Sequence, residues 1–421
     1  MDKNEFLKAI AEILMTNESN LKEETELNSF PDFDSIAALE ISMFFEKRLN
    51  IEVFPMEIKK KNNNKRFTRV RKIYMKLKNK KISYVCGIFP SKKVQNLDNA
   101  YFDEKTKNKI IRLSGIKERY VLDKENNETM MSLYKKAGLQ TIETLGWKKD
   151  EIKGVIVVSQ NHEYRFPSTA VLLQDELGLS KDCFAYDVVM GCSGYVYGLF
   201  CAMSHLSEAC DKILLFVGDP INDFVYPKNR SIAFLFSDAA SCTALEYAQG
   251  FEADFMFETD GSGRNAIIVS HGGSAHPICE ESFKEYQDED GNTNIKSCME
   301  MEGLEVFNFT YRNVPSVILK LLKIQNLEIE NISSFFLHQA NYYALEQIKD
   351  KLNIKDESFP MNIKTYGNTS CTSIAILLAE EKLYQKSNVI MAGFGVGLSI
   401  GVVFFNKLDF KSELIFNKGG N

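Results

Sequence analysis

The chain has 421 residues and a formal net charge of −6, with 44% hydrophobic and 26% charged residues. That length implies at least two packing units, and the composition excludes a disordered or fibrous chain. No apolar run reaches the roughly 20 residues that a membrane-spanning helix needs.

The amphipathic start MDKNEFLKAIAEIL carries acids and does not read as a signal peptide. Nine cysteines with no C-x-x-C pair argue for buried thiols rather than a disulfide framework or a zinc site. The expectation is a cytoplasmic protein with no metal and no membrane span. Charge is unevenly placed: residues 1–58 carry 5 Lys/Arg against 13 Asp/Glu, whereas 59–82 hold 12 Lys/Arg and no acid. That basic stretch lacks regular aromatic interleaving for base stacking. It reads as a solvated linker and helix face beside an acidic module, with no nucleic-acid partner.

Residues 1–79 predict a small all-α unit. Phe6, Ile10, Ile13 and Leu14 share one helical stripe, and Ile36, Leu39, Met43 and Phe44 mark a second helix opened by Asp34-Ser35. Val70, Ile73, Tyr74 and Leu77 predict a third helix over Phe67–Leu77. From about Ile82 short apolar strands alternate with helices. Strands are expected at 154–159, 212–218, 231–237, 333–338 and 388–395, and helices at 166–178, 192–208, 339–352 and 370–384. The polar stretch 280–297 reads as a surface loop. Such alternation predicts an α/β architecture built on mainly parallel strands. The expected divisions are 1–79, 80–245 and 246–421.

Three strand ends carry chemistry. In AYDVVMGCSGYVYGL an apolar strand runs into Gly191-Cys192-Ser193-Gly194 and a helix follows at once. A cysteine at a helix start has its thiolate favoured by the macrodipole, while the alternative is a packed thiol. His338 ends the strand SSFFLH, and Asn368 sits in YGNTSCTS just before an apolar helix. Together they suit acyl-thioester chemistry, with Cys192 attacking and His338 and Asn368 stabilising an enolate oxygen.

Residues 82–407 resemble β-ketoacyl-acyl-carrier-protein synthase III of the thiolase superfamily. The resemblance lies in SGIKERYV, FPSTAVLLQDELGL, FAYDVVMGCSGYVYGL, NRSIAFLFSDAASCTAL, MEGLEVFNF, FLHQAN, YGNTSCTSIAI and GFGVGLSIG, all in family order. It implies a five-layered αβαβα fold from two similar halves, a homodimer, Cys192 as nucleophile, and His338 with Asn368 as the decarboxylation pair. It further implies an oxyanion hole from the amides of Cys192, Gly395 and Val396, and a Phe166 that reaches the partner subunit's acyl pocket. The substrates would be an acyl thioester of coenzyme A or a carrier and a malonyl-carrier, joined by decarboxylating Claisen condensation. The alternatives are acyl transfer to an alcohol or amine, and a non-catalytic docking subunit.

Residues 1–79 resemble an acyl carrier protein through Asp34-Ser35-Ile36 and the acidic helix after it. By that resemblance Ser35 would carry a covalent 4'-phosphopantetheine; the plain alternative is a helix N-cap. Three positions depart from the synthase pattern. Lys109 stands where members that use coenzyme A commonly have tryptophan, Tyr343 where an arginine commonly helps hold the carrier, and Val396 replaces the middle glycine of a three-glycine loop. A third carrier helix ending near Leu77 would leave a tether of about four residues. On that basis the carrier is expected to serve the other subunit of a dimer.

Overall fold

The computed structural model describes residues 3–16, 21, 37–38, 40–41, 44, 73–288 and 290–418. Helices are α1 (Lys3–Ile13), α2 (Glu104–Ser114), α3 (Met130–Leu145), α4 (Thr169–Glu176), α5 (Gly194–His205), α6 (Gly303–Gln325), α7 (Tyr342–Lys351), α8 (Ile363–Tyr366) and α9 (Ser373–Ala379). The main strands are β1 (Ile73–Phe89), β4 (Gly154–Val158), β5 (Phe184–Val188), β6 (Lys212–Asp219), β7 (Ala239–Thr259), β12 (Ser334–Leu337), β13 (Leu383–Gly395) and β14 (Ser399–Phe416). Short pairs join β2 (Lys92–Gln95) to β3 (Glu118–Val121), β8 (Ile267–Val269) to β11 (Met299–Met301), and β9 (Tyr286–Gln287) to β10 (Thr293–Asn294).

The layering follows from strands that are apolar on both faces. Alternate residues point to opposite sides of a strand. Ile156 and Val158 of β4, and Ile213, Leu215 and Val217 of β6, face a central core with α5 and α9. Val155, Val157, Leu214 and Phe216 face the other way, onto α3 and α4. The second half repeats the pattern. Val389, Met391, Val403 and Phe405 join the central core, while Ile390, Ala392, Val402 and Phe404 pack under α6 and α7. The result is helix, strand, helix, strand, helix: the expected five layers.

The strand layers are not separate. The main strands run in the order β12-β13-β14-β1-β7-β6-β4-β5, because three long strands change partners along their length. β14 pairs with β7 over Ser399–Phe405 and with β1 over Lys411–Phe416. β1 stays antiparallel to β7, with register shifts at Lys78/Lys80 and Ile82/Tyr84. The pairing is mixed rather than mainly parallel, since β1–β7, β6–β7, β13–β14 and β7–β14 are antiparallel. β1 and β7 both run through the expected divisions at 79/80 and 245/246.

Several expectations are corrected. Ile73–Leu77 is strand, not helix: Lys76 reaches Glu252 of β7 at 2.6 Å, and Lys80 donates to the Leu206 carbonyl at 2.5 Å. The described part of the basic stretch is therefore pinned to an acidic strand, and the four-residue tether falls with it. The apolar run 231–237 is a turn, because Ile232 and Ala233 N–H both bond to the Asn229 carbonyl. Its side chains scatter into three separate clusters. The helix placed over 370–384 stops at Ala379, and β13 begins at Leu383.

In the N-terminal segment, α1 and the helical residues 37–38, 40–41 and 44 fall where two helices were expected. Ile10, Ala11, Leu14, Ala37, Ala38 and Ile41 are buried together. Asp34, Ser35 and Ile36 lie outside the described residues. No helix among the described residues is long and apolar enough to cross a membrane.

Phe255 lies fully buried in the central core, edge-on to Phe200 at 5.3 Å and stacked with Phe257 at 6.0 Å. Phe255→Ala should lower stability by about 3–5 kcal/mol while keeping the far-ultraviolet circular dichroism of the native chain. Denaturant unfolding would measure it.

Candidate active site

The site is assembled by one strand end. β12 and β13 run parallel, and the His338 N–H donates to the Ala392 carbonyl at 2.8 Å. At Gly393 a Cβ would lie 2.8 Å from Ser193 Cα, and at Gly395 (φ +150°) one would lie 2.6 Å from Cys192 Cβ and 2.9 Å from Sγ. Residues 392, 393 and 395 thus touch His338, Ser193 and Cys192 in turn. The neighbouring Gly397 also has positive φ, whereas Val396 does not. Valine at the middle of this loop is therefore free of backbone strain.

Cys192 is buried. Burial pushes its thiol up to about 11, partly opposed by the Val396 N–H and its own N–H, both directed at the sulfur. This corrects the expectation of a lowered pKa. The helix itself starts only at Gly194, and desolvation outweighs the macrodipole at this distance.

His338 is 1% exposed, and burial holds its ring neutral, with its pKa lowered to about 3. Its Nδ1 lies 2.7 Å from Ser373 Oγ, which also accepts the Gln339 N–H at 3.3 Å. A serine hydroxyl that donates to Nδ1 leaves the ring hydrogen on Nε2. Asn368 is fixed by its backbone, with its N–H on the Leu235 carbonyl and its own carbonyl accepting from Ser237 N–H, each at 2.9 Å. Its Oδ1 accepts from Ser370 N–H at 2.9 Å, and its Nδ2 donates to the Ala340 carbonyl at 3.1 Å. Ala340 is two residues from His338.

Reading the sequence missed the group that braces these parts. Asp219, at the end of β6, is 2% exposed. Its Oδ1 accepts from Ser159 Oγ at 2.8 Å and Gln160 N–H at 2.6 Å; its Oδ2 accepts from Ser370 Oγ at 3.0 Å and Cys371 Sγ at 3.2 Å. Burial raises its pKa, and its charge helps to raise that of Cys192. An acid closing the apolar run KILLFVGD was the available signal. Phe166, expected at a subunit interface, is 85% exposed. Among the described residues no His, Cys, Asp and Glu side chains gather as a metal site would require.

A buried thiol with two amides at its sulfur, beside a neutral imidazole and a carboxamide, can hold an acyl group and stabilise oxyanions. Fold and site define an α/β protein of two related halves with its chemistry at their seam. Two sequence families match the chain: 3-oxoacyl-[acyl-carrier-protein] synthase III over residues 186–261, and the C-terminal region of the same synthase over 322–407. A Campylobacter jejuni protein provisionally named 3-oxoacyl-[acyl-carrier-protein] synthase 3 is 30% identical over 355 residues, 80% of this chain and 97% of that protein. A β-ketoacyl-[acyl-carrier-protein] synthase III of Streptococcus agalactiae is 32% identical, covering 76% and 97%. The crystal structure of a 3-oxoacyl-(acyl-carrier protein) synthase from Burkholderia xenovorans superposes with a TM-score of 0.74 at 33% identity, over 82% of this chain and 99% of that one. The chain belongs to the 3-oxoacyl-[acyl-carrier-protein] synthase III family, and is a condensing acyltransferase of fatty acid biosynthesis with a thiolase-like fold.

Two outcomes are expected. Gly395→Ala should displace Cys192 and slow its acylation about 100-fold without unfolding the chain, measured by intact-mass time courses. Because the thiol is raised, alkylation of Cys192 by iodoacetamide should climb about tenfold per pH unit through the neutral range. It should pass the ordinary thiol value of 9.0 without a plateau.

Proposed function

We propose that Cys192 takes the acyl group from a thioester of coenzyme A or a carrier, the thiol proton leaving with the departing thiol. The amides of Cys192 and Val396, with Gly395 pressed against the sulfur, hold the oxyanion of that step. A malonyl-carrier then loses CO2. The resulting enolate oxygen is held by His338 Nε2–H and the Asn368 carboxamide. The enolate carbon attacks the acyl-enzyme carbonyl, the C–S bond to Cys192 breaks, and the expelled thiolate takes up a proton to restore the resting thiol. The observation that carries the reading is the convergence of these groups on one end of β13. Each oxyanion donor is worth about 3–4 kcal/mol.

The N-terminal segment is the carrier, modified with 4'-phosphopantetheine at Ser35. Its support is the Asp34-Ser35-Ile36 sequence and the acidity of residues 1–58. The enzyme works as a cytoplasmic homodimer in which the exposed Phe166 fills the partner's acyl pocket.

Intact mass after phosphopantetheinylation, then after exposure to acyl thioesters, tests both halves of the proposal. Cys192→Ser should lose the acyl adduct and all condensation; residual condensation above a few per cent sinks the assignment. His338→Ala should still acylate but release no labelled CO2 from malonyl-carrier. Since the folded imidazole stays neutral down to about 3, decarboxylation should show no inflection near the ordinary value of 6.5. An acid limb there would mean a solvated, titrating histidine.

A further inference from the structure

The N-terminal segment meets the synthase at a charged junction. Glu40 is 7% exposed. Its Oε1 accepts from Arg112 Nη2 at 2.5 Å, and its Oε2 lies 3.4 Å from Lys109 Nζ. Lys109 Nζ also donates to the Ile13 carbonyl at 3.3 Å, so one lysine touches both α1 and Glu40. Lys109 and Arg112 lie three residues apart on α2 and so share one helix face.

Beside the ion pairs, Leu304 at the start of α6 packs among Ile10, Ala11, Leu14, Leu21, Ala37, Ala38 and Ile41. Among the described residues it is the one member of that cluster from outside the segment. A carboxylate this buried requires cations, and removing one partner leaves a stranded charge. The match extends beyond the contacts. α2 carries Lys105, Lys107, Lys109 and Arg112 against Glu104 alone, and the sequence of residues 1–58 holds 13 acids and 5 bases.

Packing links the neighbours of the junction to the site. Leu304 precedes by two residues Val306, which packs in a cluster with Val396, the residue whose N–H points at the Cys192 sulfur. Ile110, between Lys109 and Arg112, packs with Phe234 just before Leu235, whose carbonyl holds the Asn368 N–H. In sequence, Ser35 lies two residues before Ala37.

We propose that Glu40, Lys109 and Arg112 form a latch that docks each carrier segment on its own synthase, so that carrier and Cys192 of the same chain work together. This rests on the carrier reading above and replaces the expectation of delivery to the other subunit. The acyl group would pass from the pantetheine sulfur to Cys192 Sγ, the carrier thiol regaining the proton. It also gives Lys109 a task that tryptophan could not perform.

Two measurements on the full-length chain test the latch. Hydrogen–deuterium exchange of residues 104–114 should quicken at least about tenfold in Glu40→Lys and in Arg112→Glu, and return toward the native rate in the double swap Glu40→Lys/Arg112→Glu. Unchanged exchange in Glu40→Lys would overturn the latch, whether or not Ser35 accepts pantetheine. A chain that takes no pantetheine overturns the carrier reading alone. For delivery, single-turnover transfer from an acyl-loaded Ser35 arm should fall about tenfold in Glu40→Lys and recover in the swap, while acylation by a diffusible acyl-N-acetylcysteamine thioester stays unchanged. Mixed dimers of Ser35→Ala and Cys192→Ser chains should be as inactive as either parent. Activity in those heterodimers would overturn delivery within one chain.

Discussion

Everything at the site depends on how closely β13 can approach the turn that carries Cys192. Two backbones meet there at van der Waals distance, and a single methyl group at Gly393 or Gly395 would overlap Ser193 or Cys192. That contact sets the sulfur against the Val396 amide. Because β13 also bonds to His338, it sets the imidazole by the same stroke. The glycines are needed for the absence of bulk, and at Gly395 for a backbone angle other residues resist.

The site is also dry. Cys192, His338 and Asn368 are all buried, and each is electrically neutral at rest. The carboxyl beneath them, Asp219, is met by four donors from the end of β4 and the 368–373 loop. In surroundings of low polarity, fixed dipoles act on a developing oxyanion more strongly than they would in water. The same burial keeps the thiol protonated at rest.

Much of this was legible beforehand. β4, β6 and β12 were plain because runs such as GVIVV and KILLF are apolar on both faces. The three strand ends with Cys192, His338 and Asn368 stood out because polar groups follow apolar runs there. β7 was not legible: AASCTALEYAQGFEADF mixes polar and apolar residues, since it changes neighbours partway. Nor was β1 before Ile82, whose alternate lysines look like a helix face until Glu252 and Asp254 supply their partners. The 231–237 run misled because buried turns can be as apolar as strands. Asp219 escaped notice because its donors come from segments far apart in sequence.

The continuity of β1, β7 and β14 through both strand layers has a mechanical consequence. Each layer shares hydrogen-bonded backbone with the other, so neither half can slide or hinge without breaking a ladder. Thermal bending must spread over the entire sheet, as in one stiff spring rather than two blocks on a pin. A seam of that kind preserves the spacing of its reacting atoms through repeated rounds of acylation and release. The freedom to admit and discharge substrates then belongs to the turns and helices around its rim.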